Sequence, residues 1–185
     1  MTSPLQLRVA CHALNAGGVI AYPTEAVWGL GCEPLNRHAC TRLLHLKQRD
    51  WRKGLILIAA DFEQLRPFVE SLPENKMRKA FESWPGPATW LLPASELTPE
   101  WVRGEHDNVA VRVTAHPVAA ALCRVYGGAI VSTSANRAGQ SPALNVAQLR
   151  VRFGGQVDAV VSGAVGELKQ PTPIRDLLSG KLLRP

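Results

Sequence analysis

Apolar and polar positions alternate between two periods along this chain. Leu5, Val9, Ala13 and Ala16 recur at i, i+4 and predict a helix that stops at Gly17-Gly18. Val19 to Tyr22 then reads as a buried strand, and Asn36 caps a second helix running through Lys47. Leu55 to Ala59 is a further aliphatic strand. The pairs Asp61/Gln64 and Ser71/Glu74 have capping-box spacing, and each predicts a helix start before the Trp84-Pro85-Gly86-Pro87 turn. Ala88–Leu92, Val109–Val113, Ala129–Ser132 and Val157–Val161 are strand candidates, and a helix opened by Pro117 ends at Gly127. Ile174–Leu178 and Lys181–Arg184 predict a closing hairpin turned by Ser179-Gly180. Helical and extended segments that alternate end to end predict an α/β fold, a mixed or parallel sheet flanked by helices.

The length of 185 residues fits one domain, 1–185, with enough chain to bury a core without staples. Apolar residues make up 46% and charged residues 19%, which excludes a disordered chain or a coiled coil. Cys11, Cys32, Cys40 and Cys123 form no C-x-x-C pair, and with no secretory or membrane-spanning run the expectation is a soluble, reduced, cytoplasmic protein with no membrane partner. The net charge of +6 favours a phosphate-bearing or polyanionic partner.

The familiar catalytic strings are missing. There is no phosphate-cradling G-x-x-x-x-G-K-[ST], no H-E-x-x-H and no G-x-S-x-G, and Gly29-Leu30-Gly31 lacks the third glycine of a dinucleotide fingerprint. The histidines and cysteines have no metal-ligand spacing, so no resident metal is expected. What remains is polar residues where strands end. Thr24 and Glu25 follow the first strand, as ligand residues or as caps of a turn. Lys47, Arg49, Arg52 and Lys53 crowd a helix end, where cations complement the helix dipole or form a solvated face. Lys47 and Arg49, at i and i+2, converge on one anion if the chain between them is extended. Ser132, Thr133, Ser134 and Asn136 follow another strand and suit either phosphate or carboxylate oxygens or a helix cap. Arg112 points away from Val111 and Val113, toward water or a polar site.

Taken together, Tyr-Pro-Thr-Glu-x-x-x-Gly-Leu-Gly (Tyr22 to Gly31), Lys47-x-Arg49, Trp84-Pro-Gly-Pro-x-Thr89, Val109-Ala-Val-Arg-Val113, Ser134-x-Asn136 and the terminal Leu-Leu-Arg-Pro resemble the YrdC/TsaC family of threonylcarbamoyl-AMP synthases, over nearly the whole chain. The short bacterial single-domain form is the nearest pattern. Ala26, Trp28 and the segment Gln170 to Ile174 depart from the commonest motifs. The resemblance implies a twisted open mixed sheet flanked by helices, with a positively charged concave face. It also implies a nucleotidyltransferase that makes threonylcarbamoyl-adenylate and pyrophosphate from L-threonine, bicarbonate or CO2, and ATP, for modification of the tRNA adenosine beside the anticodon. ATP is then a substrate, with Mg2+ held mainly by its phosphates. Lys47 and Arg49 act electrostatically, with Ser134, Asn136 and Arg184 on ATP, and Thr24, Arg112, Ser132 and Thr172 on threonine. Partners are transfer proteins of the TsaD, TsaB and TsaE type, and tRNA or double-stranded RNA. An RNA-binding or ribosome-maturation factor without turnover, or a paralogue with another acyl substrate, is the alternative reading.

Overall fold

The computed structural model describes residues 2–184. Helix α1 (Pro4–Asn15) starts at Ser3, whose hydroxyl accepts from the Gln6 amide. Strands β1 (Ile20–Pro23) and β2 (Trp28–Gly31) form an antiparallel pair. Asn36 caps α2 (Arg37–Lys47) by accepting from the Ala39 amide, and β3 (Ile56–Ala59) follows a short 3-10 turn at Trp51–Lys53. Next come α3 (Glu74–Ser83), β4 (Thr89–Pro93), α4 (Glu100–Arg103) and β5 (Asn108–Val113). The chain ends with α5 (Pro117–Tyr126), β6 (Ile130–Ser134), α6 (Val146–Phe153), β7 (Ala159–Val160), β8 (Ile174–Asp176) and β9 (Leu182–Arg184).

Among the described residues nine strands join one open sheet in the order β7-β1-β2-β6-β3-β5-β4-β8-β9. Directions are mixed: β3 pairs parallel to β5, while β6 runs antiparallel to both β2 and β3. The side-chain period of two assigns each strand residue to a face. Val19, Ala21, Leu57, Ala59, Val109, Val111 and Val131 enter the larger apolar cluster, together with α2 and α3. Ile20, Tyr22, Ile58 and Ile130 point the other way and are covered by α1 and α5. That second face is covered over only part of its width. Beyond the helices the same rows continue as Ile56, Ala110, Arg112, Ser132 and Ser134, and these line a cavity.

Three expectations need correction. Asp61 accepts from the Gln64 amide, yet no α-helix follows. The Gln64 carboxamide is spent on the Ala60 amide and the Cys123 carbonyl instead of closing a capping box, and the segment passes into a 3-10 turn at Arg66–Phe68. The helix expected from Ser71 begins later, at Glu74, because Pro73 in an extended conformation supplies the boundary without a side-chain cap. The terminal hairpin turns before Ser179: Asp176 accepts from the Ser179 amide and hydroxyl, and its own amide donates to the Lys181 carbonyl, so Leu177 and Leu178 belong to the turn. Strand β2 and helix α6 have no counterpart in the sequence reading. Among the described residues no helix is long and apolar enough to cross a membrane, and all four cysteines are buried free thiols.

Candidate active site

The cavity on the half-covered face has a volume of about 420 Å³. It sits at the carboxyl ends of β1 and β6 and the amino ends of β3 and β5, a placement that a mixed sheet permits. Thr24, Arg49, Arg112, Ser132, Ser134, Thr172 and Arg184 all line it, drawn from six separated stretches of chain. Lys53, Arg103 and His106 stand on the same wall, and no Asp or Glu is among the lining residues.

Lys47 and Asn136 lie behind that wall. Lys47 ends α2, and its Nζ donates to the Ser134 and Asn136 carbonyls, the latter at 2.9 Å. Gln48 takes a left-handed conformation (φ 52°), so the path from Lys47 to Arg49 is kinked. The extended geometry expected from their spacing is therefore wrong, and the two cations diverge: Lys47 grips the Ser134–Asn136 loop, while Arg49 faces the cavity and donates to the Gly54 carbonyl at 3.0 Å. Burial pushes the Lys47 ammonium down to about 8, with Arg49 adding repulsion. Arg49 Nε is buried without a hydrogen-bond partner, a free donor at the cavity edge. Within the loop, Ser134 Oγ donates to Asn136 Oδ1 at 2.6 Å, and Asn136 Nδ2 donates to the Arg137 and Gln140 carbonyls. The hydroxyl-rich segment is thus neither a helix cap nor loose.

Arg112 is 6% exposed. Its Nη1 donates to Thr172 Oγ1 at 2.6 Å, its Nη2 lies 3.3 Å from Glu25 Oε2, and its Nε has no partner. Thr172 Oγ1 also sits 3.2 Å from Thr89 Oγ1, and the Thr172 carbonyl accepts from Nε and Nη2 of Arg184. Burial lowers the Arg184 guanidinium's affinity for its proton, and the charges of Arg112 and Arg49 lower it further. The guanidiniums of Arg49, Arg112 and Arg184 thus share one pocket, with Arg103 a fourth on its wall. Thr24 Oγ1 donates to the Val27 carbonyl at 2.7 Å, which leaves its oxygen free to accept.

Glu25, which the sequence offers with Thr24 as a ligand residue or a turn cap, is buried and is not on the cavity wall. Its Oε1 accepts from Thr114 Oγ1 at 2.5 Å, and Thr114 Oγ1 in turn accepts from the His116 amide. His116 Nε2 contacts the Ala164 carbonyl, and its Nδ1 accepts from the Ala119 amide at the start of α5. Burial holds the His116 imidazole below its ordinary range, which keeps the Nδ1 acceptor. The only sequence signal for this chain of contacts was an acid inside a Tyr-Pro-Thr-Glu string. Trp51 does not line the cavity; it is 37% exposed, beside the Arg52 guanidinium.

The family profile Sua5/YciO/YrdC, described as telomere recombination, matches residues 12–185. A threonylcarbamoyl-AMP synthase of Halorhodospira halophila is 56% identical over 183 residues, covering 99% of this chain and 96% of that protein. One from Cellvibrio japonicus is 52% identical over 180 residues, covering 97% and 95%. Among solved structures, P. abyssi Sua5 complexed with L-threonine superposes with a TM-score of 0.90 at 33% identity, over 97% of this chain and 53% of that one. E. coli YciO superposes with a TM-score of 0.85 at 25% identity, over 96% and 87%. An open mixed sheet, a cavity on its half-covered face and matches of this extent lead to one assignment: the chain belongs to the Sua5/YciO/YrdC family.

Proposed function

We propose that this protein is a threonylcarbamoyl-AMP synthase, which joins L-threonine, CO2 and ATP into threonylcarbamoyl-adenylate with release of pyrophosphate. The observation that carries the reading is the set of Arg49, Arg112 and Arg184 around one cavity in which Ser134 donates to Asn136 and Thr24 to a backbone carbonyl, so neither is paired with a general base. Such a site suits a reaction without a covalent enzyme intermediate. Threonine's amine adds to CO2 and loses a proton to form a carbamate. A carbamate oxygen then attacks the α-phosphorus as the bond to pyrophosphate breaks. Negative charge moves from the carbamate oxygen onto the departing pyrophosphate, so fixed cations and alignment supply the catalysis.

The residue roles that the resemblance implies are compatible with this geometry, with one change. Arg112 takes the threonine carboxylate, and the hydroxyls of Thr24, Ser132 and Thr172 surround the β-hydroxyl. Arg49 and Ser134 face the phosphates, and Arg184 faces the nucleotide. Lys47 and Asn136 hold the loop that presents Ser134, a change from direct phosphate contact. With no carboxylate on the cavity wall, the donor set fits Mg2+ that arrives on the triphosphate better than a resident ion, and no step here is routed through it. The adenylate passes to transfer proteins of the TsaD, TsaB and TsaE type. Any hold on tRNA rests on the net charge of +6, so affinity should fall steeply with salt.

The test is direct. Incubate the protein with ATP, Mg2+, bicarbonate and threonine, and follow the adenylate by mass spectrometry. A bicarbonate-dependent threonine adduct is expected; ATP binding without one overturns the synthase reading. Serine keeps the hydroxyl and loses one methyl, costing about 1–3 kcal/mol, whereas valine leaves the polar partners unpaired and should fare worse.

A further inference from the structure

Arg112 is fixed inside a closed ring of contacts, and Glu25 appears in that ring twice. Its side chain faces Arg112 Nη2 at 3.3 Å and accepts from Thr114. Its backbone carbonyl accepts from the Leu168 amide at 3.1 Å, beside the bond from the Gly166 amide to the Thr24 carbonyl. Those two bonds strap segment 164–172 onto the Thr24–Glu25 turn. The approach is close enough that a Cβ on Gly166 would meet the Glu25 carbonyl oxygen at 2.5 Å. At the end of the strap, Thr172 accepts from Arg112 Nη1 and, through its carbonyl, from Arg184. Arg112 is therefore held from one side by a carboxylate and from the other by a hydroxyl, and both supports depend on Glu25.

The charge pattern points to the same residue. Arg112 and Arg184 are mutually repelling cations in a pocket whose wall carries no acid, and the Glu25 carboxylate behind Arg112 is the counter-charge. A buried guanidinium stripped of its counter-charge re-aims toward another acceptor. Arg112 Nη1 is hydrogen-bonded to Thr172 and its Nη2 is ion-paired with Glu25, whose Oε2 has no other partner, while its Nε stays unpaired.

We propose that Glu25 is a positioning residue for threonine recognition: its carboxylate holds Arg112 in the orientation that receives the substrate carboxylate. This rests on Arg112 being the carboxylate ligand, as argued above.

A double-mutant cycle tests both. Glu25→Gln keeps the shape and an acceptor for Thr114 and removes the charge; KM for threonine should rise about tenfold while KM for ATP stays within about twofold. In an Arg112→Lys background, itself raised in threonine KM, the same change should add less than about twofold. Glu25→Asp, which keeps the charge but withdraws it by one methylene, should fall between wild type and Glu25→Gln, and it carries the test if Glu25→Gln does not fold. An unchanged threonine KM in Arg112→Lys would defeat the assignment of Arg112 to the carboxylate. A raised threonine KM in Arg112→Lys, combined with an additive Glu25→Gln effect, would leave that assignment standing and overturn the role of Glu25. Tighter threonine binding in Glu25→Gln would also overturn it, by showing that the carboxylate competes with the substrate.

Discussion

Lys47 carries the sharpest electrostatic consequence of any single residue. It is 3% exposed, and its Nζ meets two backbone carbonyls, bonds that a neutral amine can also make. Because burial lowers its affinity for a proton to about 8 from an ordinary 10.5, the unfolded chain binds more protons than the fold between those values. Its contribution to stability therefore rises with pH across that window, by up to about 1.4 kcal/mol per pH unit, and is flat below it. Urea denaturation of wild type and Lys47→Met at pH 7, 8, 9 and 10 should show the difference widening above pH 8; a constant difference would mean that Lys47 stays charged in the fold. At pH 7 the Met variant should already lose about 1–3 kcal/mol, since two carbonyls lose their donor. Residue types were legible in the sequence here, but only some directions were. Alternation placed Arg112 opposite Val111 and Val113, which the structure bears out. The spacing of Lys47 and Arg49 misled because a left-handed Gln48 has no signature in side-chain pattern.

At the scale of elements, period and caps revealed α1, α2, α5 and the valine-rich strands, because each carries its apolar residues on its own repeat. Strand β2 stayed hidden for a packing reason. Leu30 enters the larger cluster, while the positions facing the other way, Gly29 and Gly31, carry no side chain because the Tyr22 ring lies over them. A strand whose second face is borrowed from its neighbour alternates large residues with glycine and shows no apolar–polar pattern. A Cβ at Gly31 would meet the Val131 carbonyl oxygen at 2.5 Å and Tyr22 Cε1 at 2.9 Å, whereas one at Gly29 first meets Thr24 Cγ2 at 3.1 Å. Gly31→Ala should therefore cost about 3 kcal/mol, since a backbone oxygen and a buried ring must both shift. Gly29→Ala should cost about 1 kcal/mol or less in stability, because only a methyl must give, and it should disturb Thr24 and so threonine binding. Urea midpoints and threonine KM for the two variants check this; equal losses of stability would contradict the packing account. The helix expected after Asp61 failed for the converse reason. A correct local cap was outweighed by tertiary partners for Gln64.

Across the whole molecule, the two apolar clusters are two sides of the same strands. Val19 and Ala21 face one way and Ile20 and Tyr22 the other, with Leu57 against Ile58 and Val131 against Ile130 repeating the division. Strand β6 is hydrogen-bonded to β2 on one side and β3 on the other, so it joins the halves of the sheet. The sequence could show that these strands are buried on both faces, since their runs are continuously apolar, but not that one face is left bare beyond α1 and α5. That depends on strand order, which pairs residues more than a hundred positions apart, such as Gly29 with Ser134. If the sheet joins the halves in this way, neither cluster can open without exposing the other, and the protein should unfold in one step. Scanning calorimetry of the 185-residue chain should give a single transition with an enthalpy of about 130 kcal/mol near 60 °C, equal to the van't Hoff value. Threonine at a hundred times its dissociation constant should move that whole transition upward, by about 2.7 kcal/mol of added stability. Two transitions, only one of them shifted by threonine, would show instead that the half bearing the cavity folds as a separate unit, and the single-domain reading would fall.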